Sequence, residues 1–145
     1  MSKTYVTAEL RRLVVDRAQG SCEYCLIPES LTLASHQVDH VIAEKHGGET
    51  TAANLALSCS LCNLAKGSDI TSIDPTTSEI VRLYHPRQDS WHDHFQLEAD
   101  TGMIQPLSAI ARVTVRLLQL NRAERLSERK LLIRAGVLKG GEAND

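Results

Sequence analysis

Cys22-Glu-Tyr-Cys25 opens, and Cys59-Ser-Leu-Cys62-Asn63-Leu-Ala-Lys66 closes, the stretch on which the rest of the chain depends. Between them lie Val38-Asp39-His40-Val41-Ile42, the glycine pair Gly47-Gly48, and Asn54-Leu55. All four cysteines fall in this window, with His36, His40 and His46 of the chain's six histidines. Two thiolates two residues apart on a tight turn can share one tetrahedral zinc ion, and two such pairs complete a closed site. The 33 residues between the pairs are more than a compact finger uses. They must therefore be folded structure whose ends the metal fastens. A closed set of four sulfurs leaves no position for substrate, so Zn2+ at Cys22, Cys25, Cys59 and Cys62 is expected to be structural. The two-pair spacing favours zinc over its alternatives, a redox Cys-x-x-Cys and unliganded core cysteines.

The rest of the composition bounds the answer. A chain of 145 residues is one domain, or a small domain with an appendage, and 42% apolar residues is ordinary for a globular fold. One Trp, three Tyr and one Phe limit the core. The stretch Cys22–Lys66 is short of large apolar side chains, the situation in which a metal staple is expected. No apolar run suits a membrane span and no signal-peptide pattern opens the chain, so the expected compartment is a bacterial-type cytosol, without membrane partners. There, paired cysteines read as metal-binding or redox rather than disulfide.

A net charge of −2 argues weakly against a nucleic-acid binder, but its distribution says more. Residues 1–105 carry 8 Lys and Arg against 14 Asp and Glu, whereas residues 106–139 carry 8 against 2. The positive charge is thus gathered in one helical segment. Arg112 and Arg116, followed by Arg122, Arg125, Arg129, Lys130 and Arg134, are read as a phosphate handhold in preference to a solvated helix surface.

Local patterns place the elements. Thr7 caps a first helix carrying Leu10, Leu13, Val14 and Ala18 on one stripe, with Gly20 as its stop. Ser21–Pro28 forms a knuckle. Leu31–Ala34 and Gln37–Ile42 read as two short strands or one interrupted strand. Thr51–Leu57 reads as a brief helical turn entering a loop, and Leu61–Lys66 as a short helix closed by Gly67. Ser68–Ser78 is a turn-rich connector, Glu79–His85 a strand, and Phe95–Leu107 a β-hairpin turning at Asp100-Thr101-Gly102. A helix starting at Pro106 and bearing Ile110, Val113, Leu117 and Leu120 is interrupted at Asn121. A second, Arg122–Ala135, stops at Gly136. The reading divides the chain into an N-terminal helix (1–21), a zinc-stapled core (22–68), a C-terminal extension packing on it (69–139) and a disordered tail (140–145).

The ordered series Cys-x-x-Cys, Asp39-His40, Gly47-Gly48, Asn54-Leu55 and Cys-x-x-Cys-Asn63-x-x-Lys66 resembles the HNH endonucleases, in their zinc-bearing subgroup, from Cys22 to about Ser68. The stretches Leu83-Tyr-His-Pro-Arg87 and Trp91-x-x-His-Phe95 also look like an extension found on a bacterial branch of these proteins. The resemblance implies an α+β fold with a ββα-metal core, stapled by the four-cysteine zinc site. An N-terminal helix and a C-terminal β-hairpin with two helices would complete it. It implies hydrolysis of DNA phosphodiester bonds at one divalent cation. His40 matches the general base, Asp39 and Asn63 match the ligands of the catalytic cation, Asn54 matches the residue that orients the base and pins the loop, and Lys66 matches a basic position able to contact phosphate. His46, in the loop beside the glycines, is a second candidate for phosphate contact.

The chemistry is coherent without the family. A histidine titrates near neutrality and can take a proton from water, while a hard cation on carboxylate and amide oxygens stabilises phosphoryl charge. With Asn at position 63 where the family name promises His, an amide oxygen favours Mg2+ or Mn2+ over zinc. Adjacent residues of a regular strand point to opposite faces, so Asp39 and His40 can address one site only from a strand end, a bulge or a sharp twist. Double-stranded DNA is the expected partner, and cutting both strands with one active site would favour a homodimer. The alternative is a zinc-knuckle nucleic-acid-binding module without catalysis.

Overall fold

The computed structural model describes residues 5–140, so most of the tail expected over 140–145 lies outside the described residues. The chain is a mixed α/β protein. It divides into two compact units, one formed by the chain up to Ile70 with His85–Arg87, the other by Thr71–Tyr84 and the chain from Gln88. Among the described residues no helix is long and apolar enough to cross a membrane.

In the first unit, helix α1 (Ala8–Ala18) begins where the Thr7 hydroxyl accepts a hydrogen bond from the Leu10 amide. It ends as Gln19 and Gly20 both turn left-handed, and their amides close back onto Asp16 and Val15. Val14 is fully buried against Leu55 and Leu57, with Leu10, Val15, Ala18 and Val38 around them. Leu13, expected on the same stripe, is instead half exposed.

Strand β1 (Gln37–His40) pairs antiparallel with β2 (Leu55–Ser58), and α2 (Ser60–Lys66) follows at once. Two expectations need correction. Leu31–Ala34 is no strand: Glu29–Leu31 is a single 3-10 turn. The segment read as a helical turn entering a loop contains β2, preceded by a 3-10 turn at Ala52–Asn54. Leu-Ala-Leu-Ser has no strong strand preference of its own. Pairing with β1 and burial of all four residues override it. The outer edge of β2 is covered as well, because the Leu57 amide donates to the Glu23 carboxylate and the Glu23 amide to the Leu57 carbonyl, each at 2.9 Å.

In the second unit, β3 (Thr71–Ile73) pairs with β4 (Ile80–Arg82), so the connector expected over Ser68–Ser78 holds a strand. A short helix α3 (Trp91–His94) leads into the expected hairpin of β5 (Phe95–Leu97) and β6 (Ile104–Pro106). Phe95 packs edge-on to Tyr84 with ring centroids 5.1 Å apart, and the Trp91 ring lies tilted against it, also at 5.1 Å. Helix α4 (Ala109–Leu118) starts at Ser108, whose hydroxyl caps Ala111, rather than at Pro106, which remains in β6. Helix α5 (Ala123–Arg134) follows. Asn121 interrupts the two helices for a reason. Its amide takes both polar groups of Ile104, accepting from N at 2.8 Å and donating to O at 2.9 Å, and so stitches β6 to the interhelical turn.

Candidate functional site

Each cysteine pair is set by local backbone. In the first, the Cys22 and Cys25 segment folds into a knuckle in which the Cys22 amide donates to Ile27 O at 2.9 Å and Leu26 takes a left-handed conformation. In the second, Cys59 is the N-cap of α2. The Cys25 amide points at Cys22 Sγ and the Cys62 amide at Cys59 Sγ, each at 3.4 Å. All four thiols are buried, and their Sγ atoms lie within 4.8 Å of one another. Cys25 and Cys59 sulfurs are 3.6 Å apart, well beyond a disulfide bond. Burial pushes the Cys22 thiol well up, and hydrogen bonds among the sulfurs push the Cys62 thiol well up. Four sulfurs so close in a dry site do not ionise together without a cation between them. The donor set is therefore positioned for a metal ion, and four sulfurs are the set that zinc takes.

The β1–β2 ladder runs without a bulge from Gln37 opposite Ser58 to His40 opposite Leu55. Pairing continues past His40, with the Val41 amide donating to Asn54 O at 2.9 Å, so the irregularity expected at Asp39-His40 is not seen, and this regularity counts against the two side chains addressing one site. Alternation sends the two side chains to opposite faces. His40 shares a face with Val38 and reaches Thr50, its Nε2 lying 2.9 Å from Thr50 Oγ1. Its Nδ1 makes no hydrogen bond among the described residues. Asp39 leaves the other face, beneath α2.

There Asp39 meets Lys66, with Nζ 3.2 Å from Oδ2 and 3.5 Å from Oδ1. Lys66 Nζ also donates to the His40 carbonyl at 3.3 Å, and the Tyr24 hydroxyl donates to Asp39 Oδ2 at 3.2 Å. Asp39 and Lys66 are both buried, at 6% and 2% exposure. Burial raises the Asp39 carboxyl above its usual range and outweighs the pull of Lys66 in the other direction. Burial also raises the Tyr24 phenol well above its ordinary value, with the Asp39 charge adding to it. Asn63, one turn before Lys66, is hydrogen-bonded through its side-chain amide to Gln37 at the surface. The structure thus brings Asp39 and Lys66 together, sets Asn63 beside them on the same face of α2, and turns Lys66 inward. In the donor chemistry a cation fits. Two carboxylate oxygens and a backbone carbonyl surround one positive charge, which at present is the Lys66 ammonium.

Asn54 pins the intervening loop. It accepts from the Ile42 amide at 2.9 Å and donates to Ile42 O at 2.9 Å and Glu49 O at 2.8 Å. Gly48 lies so close that an added Cβ would stand 1.7 Å from Ile42 O, so no other residue fits there. His46 is exposed, with Nε2 3.1 Å from Ser68 O. His36 is buried and bonded through Nε2 to Ile27 O at 2.8 Å, as a structural histidine would be.

Among the candidate cations of the second unit, the Arg112 guanidinium is committed to the buried Asp74 by bonds of 2.9 and 2.8 Å. Arg122 is spent on the carbonyls ending α4, and Arg129 is buried on Gly102 O, Leu120 O and Asn121 Oδ1. Arg116 is exposed, beside a cavity of about 570 Å³ lined also by Ser72, Ile73, Leu117 and Gln119. Three contributors went unread in the sequence. Glu23 and Tyr24 sit inside the knuckle, where a phenol in a dry position needed an acceptor. Thr50 carried no distinguishing signal.

The HNH endonuclease family model matches residues 22–69. No curated protein and no solved structure matches the chain. The matched residues contain both cysteine pairs, β1, β2 and α2, with Asp39, His40, Asn54, Asn63 and Lys66 on or between them. Residues 22–69, about a third of the chain, are thus similar to the HNH endonuclease domain, a likeness that suggests a nucleic-acid-related function, and they hold a four-cysteine site positioned for a metal ion.

Proposed function

We propose that the protein is a metal-dependent endonuclease that hydrolyses DNA phosphodiester bonds, with His40 as the general base of a ββα-metal site. The observation that carries this reading is the state of the His40 imidazole. Nε2 is held by Thr50 while Nδ1 has no protein partner among the described residues. With Nε2–H donated to the Thr50 hydroxyl, the Nδ1 lone pair is free to take a proton from water. Asn54 keeps the loop carrying Thr50 against β1, and so orients the base indirectly. Asp39, with the His40 carbonyl and Asn63 nearby, would hold a magnesium or manganese ion. A bound divalent cation supplies the positive charge that phosphate oxygens need as the bond to the leaving oxygen breaks. Structural zinc on the four cysteines fastens the knuckle to the start of α2. The proposed partner is double-stranded DNA, with His46 and Arg116 as backbone contacts.

One observation favours a second reading, a nucleic-acid-binding module without catalysis: Lys66 already neutralises Asp39. Nicking of supercoiled plasmid with Mg2+ or Mn2+, by wild type and His40→Ala, separates the two. The endonuclease reading expects nicking by wild type that His40→Ala loses while still binding DNA. Binding without nicking by both proteins, across both metals, selects the module.

A further inference from the structure

The Lys66 ammonium occupies an oxygen cage. Asp39 Oδ2, the His40 carbonyl and Asp39 Oδ1 lie 3.2, 3.3 and 3.5 Å from Nζ, at or beyond the long end of ordinary N–H···O bonds. The cage is therefore somewhat wider than the ammonium requires, and its donors are those of a hard cation. As a structural device the pair is poor value, since desolvating two charges cancels most of their attraction. The carboxylate has a second anchor that does not depend on Lys66, because the Tyr24 hydroxyl binds Oδ2. Lys66 itself is the last residue of α2, followed by Gly67 with φ +52, where the chain leaves the helix. Its four-carbon stem can swing outward without unwinding a helical turn. The Asn63 side chain, the other candidate ligand, is hydrogen-bonded among the described residues to a surface glutamine, Gln37.

We propose that Lys66 and a divalent cation compete for the same oxygens, so that metal binding at Asp39 is coupled to release of Lys66 from the interior. This rests on the assignment of Asp39 to the cation. The consequence is a metal affinity set by the residue at position 66. Released, Lys66 stands beside the cation it made way for, on the side of α2 that carries Asn63, where a phosphate can meet it.

The test is Mn2+ binding, read from the electron paramagnetic resonance signal of the free ion, on zinc-loaded wild type, Lys66→Met, Lys66→Arg and Asp39→Asn. Removing the competing charge should tighten Mn2+ binding about tenfold in Lys66→Met, and a fork that grips the carboxylate more firmly should weaken it by about the same factor in Lys66→Arg. Asp39→Asn should abolish this binding. Should Lys66→Met fail to fold with Asp39 left unpaired, the Lys66→Arg comparison decides alone. Equal affinities in wild type and both Lys66 variants, with binding still lost in Asp39→Asn, overturn the exchange and leave Asp39 as a ligand. Absence of Asp39-dependent binding in every protein overturns both the exchange and the assignment beneath it.

Discussion

Asn54 pairs with Ile42 as a strand residue would, accepting from its amide and donating to its carbonyl, both at 2.9 Å. A third bond, to Glu49 O, makes this side chain the clasp of the loop that carries Gly47, Gly48 and Thr50. Asn54→Ala orphans three backbone groups and is expected to cost about 2–4 kcal/mol, measured as a shift in urea midpoint with unchanged slope. Asn54→Asp keeps the acceptor and loses both donors, and should fall between the two. Gly48→Ala forces a Cβ onto the Ile42 carbonyl and should prevent folding of this segment, read by near-UV circular dichroism.

The four-cysteine site is expected to hold one zinc per chain, by elemental analysis of protein purified without added metal. Cys59→Ser removes a sulfur from the site while a serine hydroxyl can still cap α2, so the variant isolates the loss of the metal. Since zinc supplies on the order of 10 kcal/mol to such small folds, the variant and the chelated wild type should both lose the first unit's cooperative unfolding transition. Retention of that transition without zinc would contradict a structural role.

Asp74 and Arg112 give the second unit a pH signature. Two guanidinium bonds, with the Thr76 amide and Thr77 hydroxyl, hold the Asp74 carboxyl far below its usual range. A folded pKa below the unfolded value of about 3.9 means that the group's stabilisation is present above pH 4 and drains away as pH falls through the folded value. Wild type should therefore lose more of its urea midpoint between pH 5 and pH 3 than Asp74→Asn does. Arg112→Gln should act the same way, as a stability variant. Arg116→Gln should leave the midpoint alone, weaken DNA binding, and lower the slope of log affinity against log salt by about 1.

Thr50 is the partner that gives His40 a defined orientation. Thr50→Val removes the hydroxyl without changing the side-chain volume much and should lower nicking by about 10- to 100-fold with thermal midpoint nearly unchanged. Thr50→Ser should restore most of it. Equal loss in both variants would point to packing by the threonine methyl instead.

How far the sequence could be read depended on whether a residue's partner lay nearby in the chain. The cysteine pairs, the Thr7 and Gly20 helix signals, the β5–β6 hairpin and the short α2 all declare themselves through spacing of a few residues, and the structure has each of them. Strand β2 did not, because Leu55–Ser58 becomes a strand only by pairing with residues 15 to 21 positions earlier in the chain. The same holds for charge. Arg112 looks like a surface cation until Asp74, 38 residues earlier in the chain, is placed beside it. Lys66 looked like a phosphate contact for the same reason, its companion Asp39 being visible while the burial of both was not. At Asp39-His40 the alternation rule itself was sound, and it divides the dipeptide between Lys66 on one face and Thr50 on the other.

The central claim is that His40 is a base and not merely a well-placed histidine. Its most direct measurement is the rate of supercoiled plasmid nicking with saturating Mn2+ by wild type and His40→Ala, at matched zinc content and matched DNA binding. Nicking by wild type is expected, with a drop of at least about 100-fold in the variant. Nicking by His40→Ala at the wild-type rate would contradict a general-base role for His40.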